Sequence, residues 1–405
     1  MPQRADGARA STVFIYATFF VTGIVTTILG PLLPQFSARW HIDDVLAGSL
    51  FTAEFAGAIV GALASGVILP RLGFRRALLI GYLLTGAGMI WLSFAGWHGG
   101  LTAVGIVGVS LGLTIAATNL LVAEANPSRR AAAVSILNFV WGLGAVTIPI
   151  LVSAGGAARV TVLLMSIGAV SLVISGIFAA IAMADIDKHT TRDAAVAEEV
   201  AGAIETGGEQ SAAAFSGRSA WSNGLLWTIA VMFFIYVGIE TAVGGWIATF
   251  AQRLHGVEYW FAILAPSFFW GGLLVGRGTA PLIFRRVSEN GVARGALAIS
   301  AVGIAVIFFA HGLPGAMSGA FVTGLGFAPI YPIIVSEFSG KFGAAARRLG
   351  GVIFASPSLG GATVPWLVGF VSTKTNNLRM GLLLPLGGAL MLLAIFFASA
   401  KATAR

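Results

Sequence analysis

The chain has 405 residues, of which 57% are hydrophobic and 10% are charged, whereas a soluble protein carries about 25% charged residues. This composition excludes a soluble protein and predicts an all-α polytopic membrane protein with the lipid bilayer as its surroundings. The chain has no cysteine, which excludes disulfides and thiolate metal sites, and its net charge is +8.

Apolar stretches of roughly 20 residues, the length needed to cross a bilayer as a helix, occur twelve times along the chain. In chain order they are 11–33, 44–69, 77–96, 101–125, 131–153, 157–183, 223–250, 258–284, 294–311, 315–338, 348–371 and 379–399. Six precede a polar stretch and six follow it. We therefore predict an N-terminal six-helix bundle (1–184), a cytoplasmic linker (185–222) and a C-terminal six-helix bundle (223–405).

Basic residues are distributed unevenly between the two sides of these helices. Of the 24 Lys and Arg residues, 18 fall on one side and 5 on the other. Because cytoplasmic loops are rich in Lys and Arg, both termini are expected in the cytoplasm. The expected location is a bacterial-type inner (plasma) membrane. No small-residue cleavage site follows the first apolar stretch, which predicts a retained helix rather than a signal peptide. The net charge therefore reflects topology, and no nucleic-acid partner is expected.

The two halves repeat one another. Residues 22–30 (TGIVTTILG) return as 237–245 (VGIETAVGG), and residues 143–149 return as 359–365, at offsets of 215 and 216. Glu124 and Glu337 occupy equivalent positions. A repeat of this length predicts two pseudo-symmetric halves with a substrate site between them. Small-residue faces such as Gly57/Gly61 and Gly105/Gly108/Gly112 predict close helix packing.

The loop after the second predicted helix reads GVILPRLGFRR over residues 66–76. It resembles the signature of the major facilitator superfamily, G-x-x-x-D-R/K-x-G-x-R/K-R/K, except that Pro70 replaces the acidic residue. The resemblance implies twelve transmembrane helices in two six-helix bundles and transport by alternating access. It also implies gating or structural roles for the matching residues Gly66, Arg71, Gly73, Arg75 and Arg76.

Three further segments, 236–246 (YVGIETAVGGW), 269–277 (FWGGLLVGR) and 324–332 (GLGFAPIYP), together with Asn119, resemble the fucose–galactose–glucose proton symporters and the sodium-dependent glucose carriers. This likeness implies sugar transport. Drug–proton antiporters carry a Gly-Pro-x-x-Gly-Gly run in the fifth helix, and residues 142–149 (GLGAVTIP) lack it. That difference disfavours an antiporter.

Carboxylates inside predicted spans are costly and therefore mark candidate functional residues. Glu240, near the midplane of the seventh span, has Val25 as its repeat mate and is expected to bind sugar hydroxyls, with or without accepting a proton; the alternative is a buried structural pair. Glu54 has no basic residue at its depth and is expected either to carry the coupling proton or to be a neutral core acid.

Charged residues near span ends have structural explanations. Glu124 and Glu337, each followed by a basic cluster, are expected to be gate or helix-end ion-pair partners. Arg277 is expected to pair with Glu337 or with a helix C-terminus.

Polar and aromatic side chains within spans complete the candidate set. Asn119 and Asn138 are buried amides that either bind substrate or hydrogen-bond between helices. Aromatic rings that could cover the apolar face of a sugar, or simply pack, are Trp141, Tyr236, Trp246, Trp270 and Tyr331. The five histidines fall in loops or at span ends, so neither a metal site nor a histidine proton relay is predicted.

These features together predict a secondary active transporter, not an enzyme, since no nucleotide-binding motif or catalytic cluster is present. The favoured function is proton-coupled uptake of a monosaccharide by a monomer that uses alternating access and no cofactor. Sodium remains open as the coupling ion. The alternative is a proton-coupled exporter of drugs or lipid-like amphiphiles, which would need a cavity with fewer amides.

Overall fold

The computed structural model describes residues 2–127, 129–155, 159–180, 223–342, 353 and 355–403. Within these residues the regular structure is entirely α-helical. The predicted linker at 185–222 lies outside the described residues. For brevity, residues 2–180 are called the first half and residues 223–403 the second half.

The first half contains six helical elements: α1 (Pro2–Thr27), α2 (Leu29–Trp40), α3 (Asp44–Phe94), α4 (Trp97–Ala125), α5 (Arg130–Gly155) and α6 (Val160–Ala180). α1 and α2 meet at an angle of 41° and together form one broken span. Pro31 explains the break, because it has no N–H to donate to the carbonyl of Thr27. The helical path runs to Trp40, beyond the apolar stretch that predicted it.

α3 is one helical element that contains both the second and the third predicted crossings. A straight helix of its 51 residues would be roughly 75 Å long, more than twice a hydrocarbon core of about 30 Å. The helix breaks at Gly73, whose φ of 74° is a conformation that glycine adopts without strain. Before the break, Gly57 and Gly61 approach Gly105 and Val109 in the same direction along α4. After it, Gly81 and Gly88 approach α4 in the opposite direction, at Thr114 and Val107.

The second half contains nine helical elements within its described residues: α7 (Gly224–Gln252), α8 (Tyr259–Ala262), α9 (Ala265–Ile283), α10 (Glu289–Phe309), α11 (Leu313–Phe327), α12 (Ile330–Phe342), α13 (Ala355–Thr375), α14 (Leu378–Gly381) and α15 (Leu383–Thr403). α8 and α9 form one span, as do α11 and α12. Pro329 lies at the α11–α12 junction, where its missing N–H interrupts the hydrogen-bond ladder.

Nine helices of the described residues are long and apolar enough to span a membrane, or ten if the bent pair α1–α2 is one span. The break in α3 divides one of these into two crossings, and α13 has the length of a further span. The architecture is therefore an all-α polytopic membrane protein, consistent with the predicted twelve crossings.

The contacts between the halves join segments that are equivalent in the sequence repeat. Gly30 of α2 touches the backbone of Gly244 and Gly245 in α7, so equivalent segments of the two halves meet each other. α3 packs on α13 while α5 packs on α9, and the repeat exchanges these two pairs of spans. The halves are thus related by a pseudo-two-fold axis that runs through their interface.

The predicted small-residue faces bring α3 and α4 into backbone contact. A Cβ at Gly108 would lie 2.0 Å from the carbonyl oxygen of Glu54, and one at Gly112 would lie 2.0 Å from that of Ala58. Only glycine permits this approach, which confirms the predicted packing. The contact also fixes the backbone of Glu54 against α4.

Candidate functional site: a cavity between the halves

A cavity of about 910 Å³ lies between the two halves. We call the side of the bundle where α1 begins the terminal side, and the other the distal side. The cavity reaches Val134 in the second turn of α5 and Phe284 just after α9, and both lie on the terminal side. Apart from phenylalanines, its polar and aromatic lining comprises Thr26, Thr27, Glu54, Asn119, Ser135, Asn138, Trp141, Glu240, Thr241, Trp270, Arg277 and Tyr331.

The distal side is closed by an ion pair that joins the halves. Arg253, at the end of α7, donates from Nη1 and Nη2 to the two carboxylate oxygens of Asp44, at the start of α3, over 2.7 and 2.6 Å. Ser372 of α13 donates to the same carboxylate. These three residues are called the distal latch. A fork of two charge-assisted hydrogen bonds is the strongest form of such a pair.

Backbone contacts continue this closure toward the middle of the bundle. The Val45 N–H donates to Thr373 Oγ1 over 3.1 Å, and Thr52 donates to the Ala362 carbonyl over 2.7 Å. Gly48 lies directly against the backbone of Trp366. The molecule is therefore closed on the distal side, and its cavity extends toward the terminal side.

Glu240 and Arg277 form an ion pair within the cavity wall. Arg277 Nη2 lies 3.9 Å from Glu240 Oε1, and the two side chains are 24% and 12% exposed. The predicted pairing of Arg277 with Glu337 is wrong. Glu337 instead lies near Lys341 and Glu289. A counter-ion stabilises the midplane carboxylate Glu240 more than it would stabilise Glu337, because water can solvate a carboxylate near a helix end.

Glu54 is the third charged residue of the cavity. It is 5% exposed, and it forms neither a hydrogen bond nor an ion pair with any side chain of the described residues. The expectation that no basic residue lies beside it agrees with this geometry. Its helix places it on the first half, whereas Glu240 and Arg277 both belong to the second.

The two predicted amides both line the cavity. Asn119 Nδ2 donates to the Ile115 carbonyl and Asn138 Nδ2 donates to the Val134 carbonyl, each over 2.9 Å. These bonds within a helix fix the side chains and use one N–H of each. One N–H and the carbonyl oxygen of each amide stay available to a ligand.

Aromatic residues divide into two groups. Trp141 and Trp270 line the cavity and meet edge to face, with ring centroids 5.6 Å apart, so they join α5 to α9 across the interface. Tyr331 lines the cavity as well.

Tyr236 and Trp246, predicted to contact substrate, lie in the core of the second half and outside the cavity lining. Tyr236 donates to the Phe327 carbonyl over 3.2 Å, and Trp246 Nε1 donates to the Pro365 carbonyl over 2.9 Å. The cavity face of α7 comprises 237, 240, 241, 244 and 245. Trp246 lies off this face and satisfies its indole N–H against α13 instead.

The signature residues lie at the terminal side, around the break in α3. Arg75 Nη2 donates to the Ala179 carbonyl over 3.0 Å, so it satisfies the C-terminal end of α6. Gly73 supplies the positive φ, and Gly66, Arg71 and Arg76 are exposed. Glu124 lies near Arg130. Arg347 and Arg348, part of the basic cluster after Glu337, lie outside the described residues.

Sequence reasoning missed the distal latch. Asp44 was an ordinary acid at a span edge, and Arg253 one of five basic residues on the sparsely charged side. Their placement in opposite halves, at span ends on the same side, is the signal that could have paired them.

Comparisons with known proteins agree with this architecture. The profile of the Major Facilitator Superfamily matches residues 15–348. A glucose/galactose transporter from Brucella abortus is 22% identical over 392 residues, covering 91% of this chain and 89% of that one. A glucose/mannose transporter from Bacillus subtilis is 24% identical over 386 residues, covering 92% and 91%.

Among solved structures, a D-xylose–proton symporter superposes with a TM-score of 0.72 at 16% identity, covering 95% of this chain and 97% of that one. The resemblance predicted from residues 66–76 and from the glucose-carrier segments is thereby confirmed. The protein is a membrane transporter and not an enzyme, and the chain belongs to the Major Facilitator Superfamily.

Proposed function

We propose that this transporter takes up a monosaccharide, driven by protons, across a bacterial-type inner membrane. The observation that carries the proposal is the composition of the cavity: a carboxylate–guanidinium pair, two amides and two tryptophans converge on one space between the halves. Carboxylates, guanidinium and amides match the hydroxyls of a sugar, and indole rings match its apolar face. The glucose/galactose and glucose/mannose transporters among the relatives support the same substrate class.

The terminal side corresponds to the cytoplasm in this proposal, because most Lys and Arg residues lie there. The structure then represents the state in which the cavity opens inward. Substrate and proton would enter from the distal side while the distal latch is open. Rocking of the two halves would close the latch and expose the cavity to the cytoplasm.

Glu54 is the proposed proton carrier. A carboxylate in an apolar wall without a counter-ion is costly when ionised, whereas Glu240 has Arg277 beside it to compensate its charge. The charged and titratable residues of α4 and α13, the helices packed around Glu54, lie at the helix ends. His98 and Lys374 are at the distal ends of α4 and α13, and Glu124 is at the terminal end of α4. Glu240 and Arg277 face the same cavity.

The test is uptake of radiolabelled glucose, galactose and fucose into proteoliposomes, with an inward proton gradient, an inward sodium gradient or neither. Accumulation of one hexose above equilibrium under the proton gradient alone is expected. Accumulation under sodium alone would replace the proton by sodium, and absence of hexose flux under all three conditions would contradict the proposal.

A proton-coupled exporter of drugs or amphiphiles is the second candidate, favoured by the phenylalanines that also line the cavity: Phe19, Phe51, Phe55, Phe139 and Phe284. Efflux of an amphiphilic dye from inverted vesicles, without any hexose flux, would establish it instead.

A further inference from the structure

The Tyr236 hydroxyl lies close to both Arg277 and Glu240, and a single hydroxyl leaves most of their donors and acceptors able to bind a ligand. At 3.9 Å, Nη2 and Oε1 are too far apart for a direct hydrogen bond, which needs about 2.7–3.2 Å. Both side chains are reached from the cavity. The guanidinium offers donors only and the ionised carboxylate offers acceptors only. The pair therefore presents one donor and one acceptor side by side.

A hydroxyl group can both donate and accept, so two adjacent hydroxyls on a sugar ring complement this arrangement. One hydroxyl would donate a hydrogen bond to the Glu240 carboxylate, and the oxygen of the neighbouring hydroxyl would accept a hydrogen bond from Arg277. Hydrogen bonds to charged groups discriminate more than bonds between neutral groups, because a missing partner leaves a desolvated charge.

Both members of the pair belong to the second half, on α7 and α9. These helices pack closely, since a Cβ at Gly244 would lie 2.9 Å from the ring of Trp270 and 3.2 Å from that of Phe269. Rocking of the halves would leave the Glu240–Arg277 distance unchanged, whereas Asn119 and Asn138 on the first half would move relative to it. The pair can thus hold the same two hydroxyls throughout the cycle.

We infer that Glu240 and Arg277 are the specificity-determining residues of the cavity and recognise two neighbouring hydroxyls of the transported sugar. The inference rests on the proposed sugar transport and names the contact that selects among sugars. A substrate carboxylate that displaces Glu240 from Arg277 is the competing chemistry, and the test below distinguishes it.

The experiment is exchange of radiolabelled hexose across proteoliposomes without any gradient, in competition with the monodeoxy analogues of that hexose and with its uronate. The proteins compared are the wild type, Glu240→Gln and Arg277→Lys, with Glu258→Gln and Arg285→Lys as matched controls. Glu258 and Arg285 are exposed and lie outside the cavity lining. Selectivity is the affinity ratio of analogue to parent within one preparation, so partial misfolding of a variant does not alter it.

The wild type should bind the analogues that lack either of two adjacent hydroxyls roughly 10- to 100-fold more weakly than the parent. Glu240→Gln should lose discrimination at one of these positions and Arg277→Lys at the other, while both controls keep the full pattern. Equal weakening of parent and all analogues in both variants would overturn the inference and leave sugar transport intact. Stronger competition by the uronate than by the parent would overturn it in favour of an anionic substrate. Absence of hexose exchange in the wild type would overturn both the proposed function and this inference.

Discussion

Two arginine–carboxylate pairs in the described part of the chain use the same chemistry for different purposes. Arg253 and Asp44 join the two halves through a fork of 2.6 and 2.7 Å, with Ser372 as a third donor to the carboxylate. Arg277 and Glu240 lie within one half, 3.9 Å apart. The Asp44 carboxylate accepts three hydrogen bonds, whereas Glu240 and Arg277 make no direct hydrogen bond to each other and keep donors and acceptors for a ligand. The number of hydrogen bonds that the carboxylate already accepts, rather than the presence of an ion pair, therefore distinguishes a latch from a binding site.

The largest effect is expected at the carboxyl that has no counter-ion. Glu54→Gln should abolish accumulation of hexose under a proton gradient, because the neutral amide can neither take up nor release the coupling proton. Exchange of hexose without a gradient should persist. Glu258→Gln, at an exposed position, is the control. Undiminished accumulation in Glu54→Gln would assign the proton to another group.

Breaking the distal latch should shift the conformational equilibrium. Asp44→Asn removes the charged acceptor of a partly exposed pair (side chains 10% and 45% exposed), which should cost about 1–3 kcal/mol, a roughly 5- to 150-fold change toward the distally open state. The chain has no native cysteine, so spin labels can be placed at His98→Cys and His255→Cys, two exposed positions. Double electron–electron resonance should show a larger population with a long distance between the two labels in Asp44→Asn than in the otherwise unmodified labelled protein.

The charge-swapped protein, Asp44→Arg with Arg253→Asp, serves as the control for the latch. It should recover part of the closed population, since the two charges again attract across the interface. An unchanged distance distribution in Asp44→Asn would mean that the backbone contacts alone close the distal side.

A smaller effect is expected at the α3–α4 contact that positions Glu54. Gly108→Ala would place a methyl group 2.0 Å from the Glu54 carbonyl oxygen, so the helices must separate, at a cost of about 1–3 kcal/mol. A lower melting temperature in detergent is expected. Gly105→Ala is a matched control on the same helix, because the nearest atom to its methyl group lies 3.8 Å away. Equal stability of the two variants would contradict the packing described.

The smallest effect is expected at Trp246. Trp246→Phe loses the hydrogen bond from the indole to the Pro365 carbonyl, worth about 1 kcal/mol, while hexose affinity should stay unchanged. The measurement is a thermal melt alongside hexose exchange. A change in sugar selectivity would place Trp246 at the substrate after all.

The helical architecture could be predicted because the bilayer permits few alternatives. A long apolar stretch must satisfy its backbone hydrogen bonds internally, so stretch length alone identified the crossings. The break between α1 and α2 depends on local backbone geometry that hydropathy does not record, whereas the reversal at Gly73 lies within the predicted loop between the second and third spans. The position of Glu54, Asn119 and Asn138 in the cavity followed from their depth in otherwise apolar spans.

Partners of the charged residues could not be predicted in the same way. Glu240 precedes Arg277 by 37 residues and Glu337 follows it by 60, so both carboxylates lie on other helices. Which of the two Arg277 contacts therefore depends on the rotation of α9 about its axis. The pairing of Asp44 with Arg253 depends in addition on how the two halves dock. Apolar periodicity specifies neither quantity, because in lipid both the inner and the outer faces of a helix can be apolar.

Equilibrium binding of radiolabelled hexose to detergent-solubilised Asp44→Asn and Glu240→Gln, measured side by side with the wild type, tests most directly the claim that one pair is a latch and the other a binding site. The account predicts that Glu240→Gln lowers hexose affinity about 10-fold or more, because it removes the charged acceptor of a substrate hydroxyl, and that Asp44→Asn retains binding. Loss of binding in Asp44→Asn with normal binding in Glu240→Gln would contradict it.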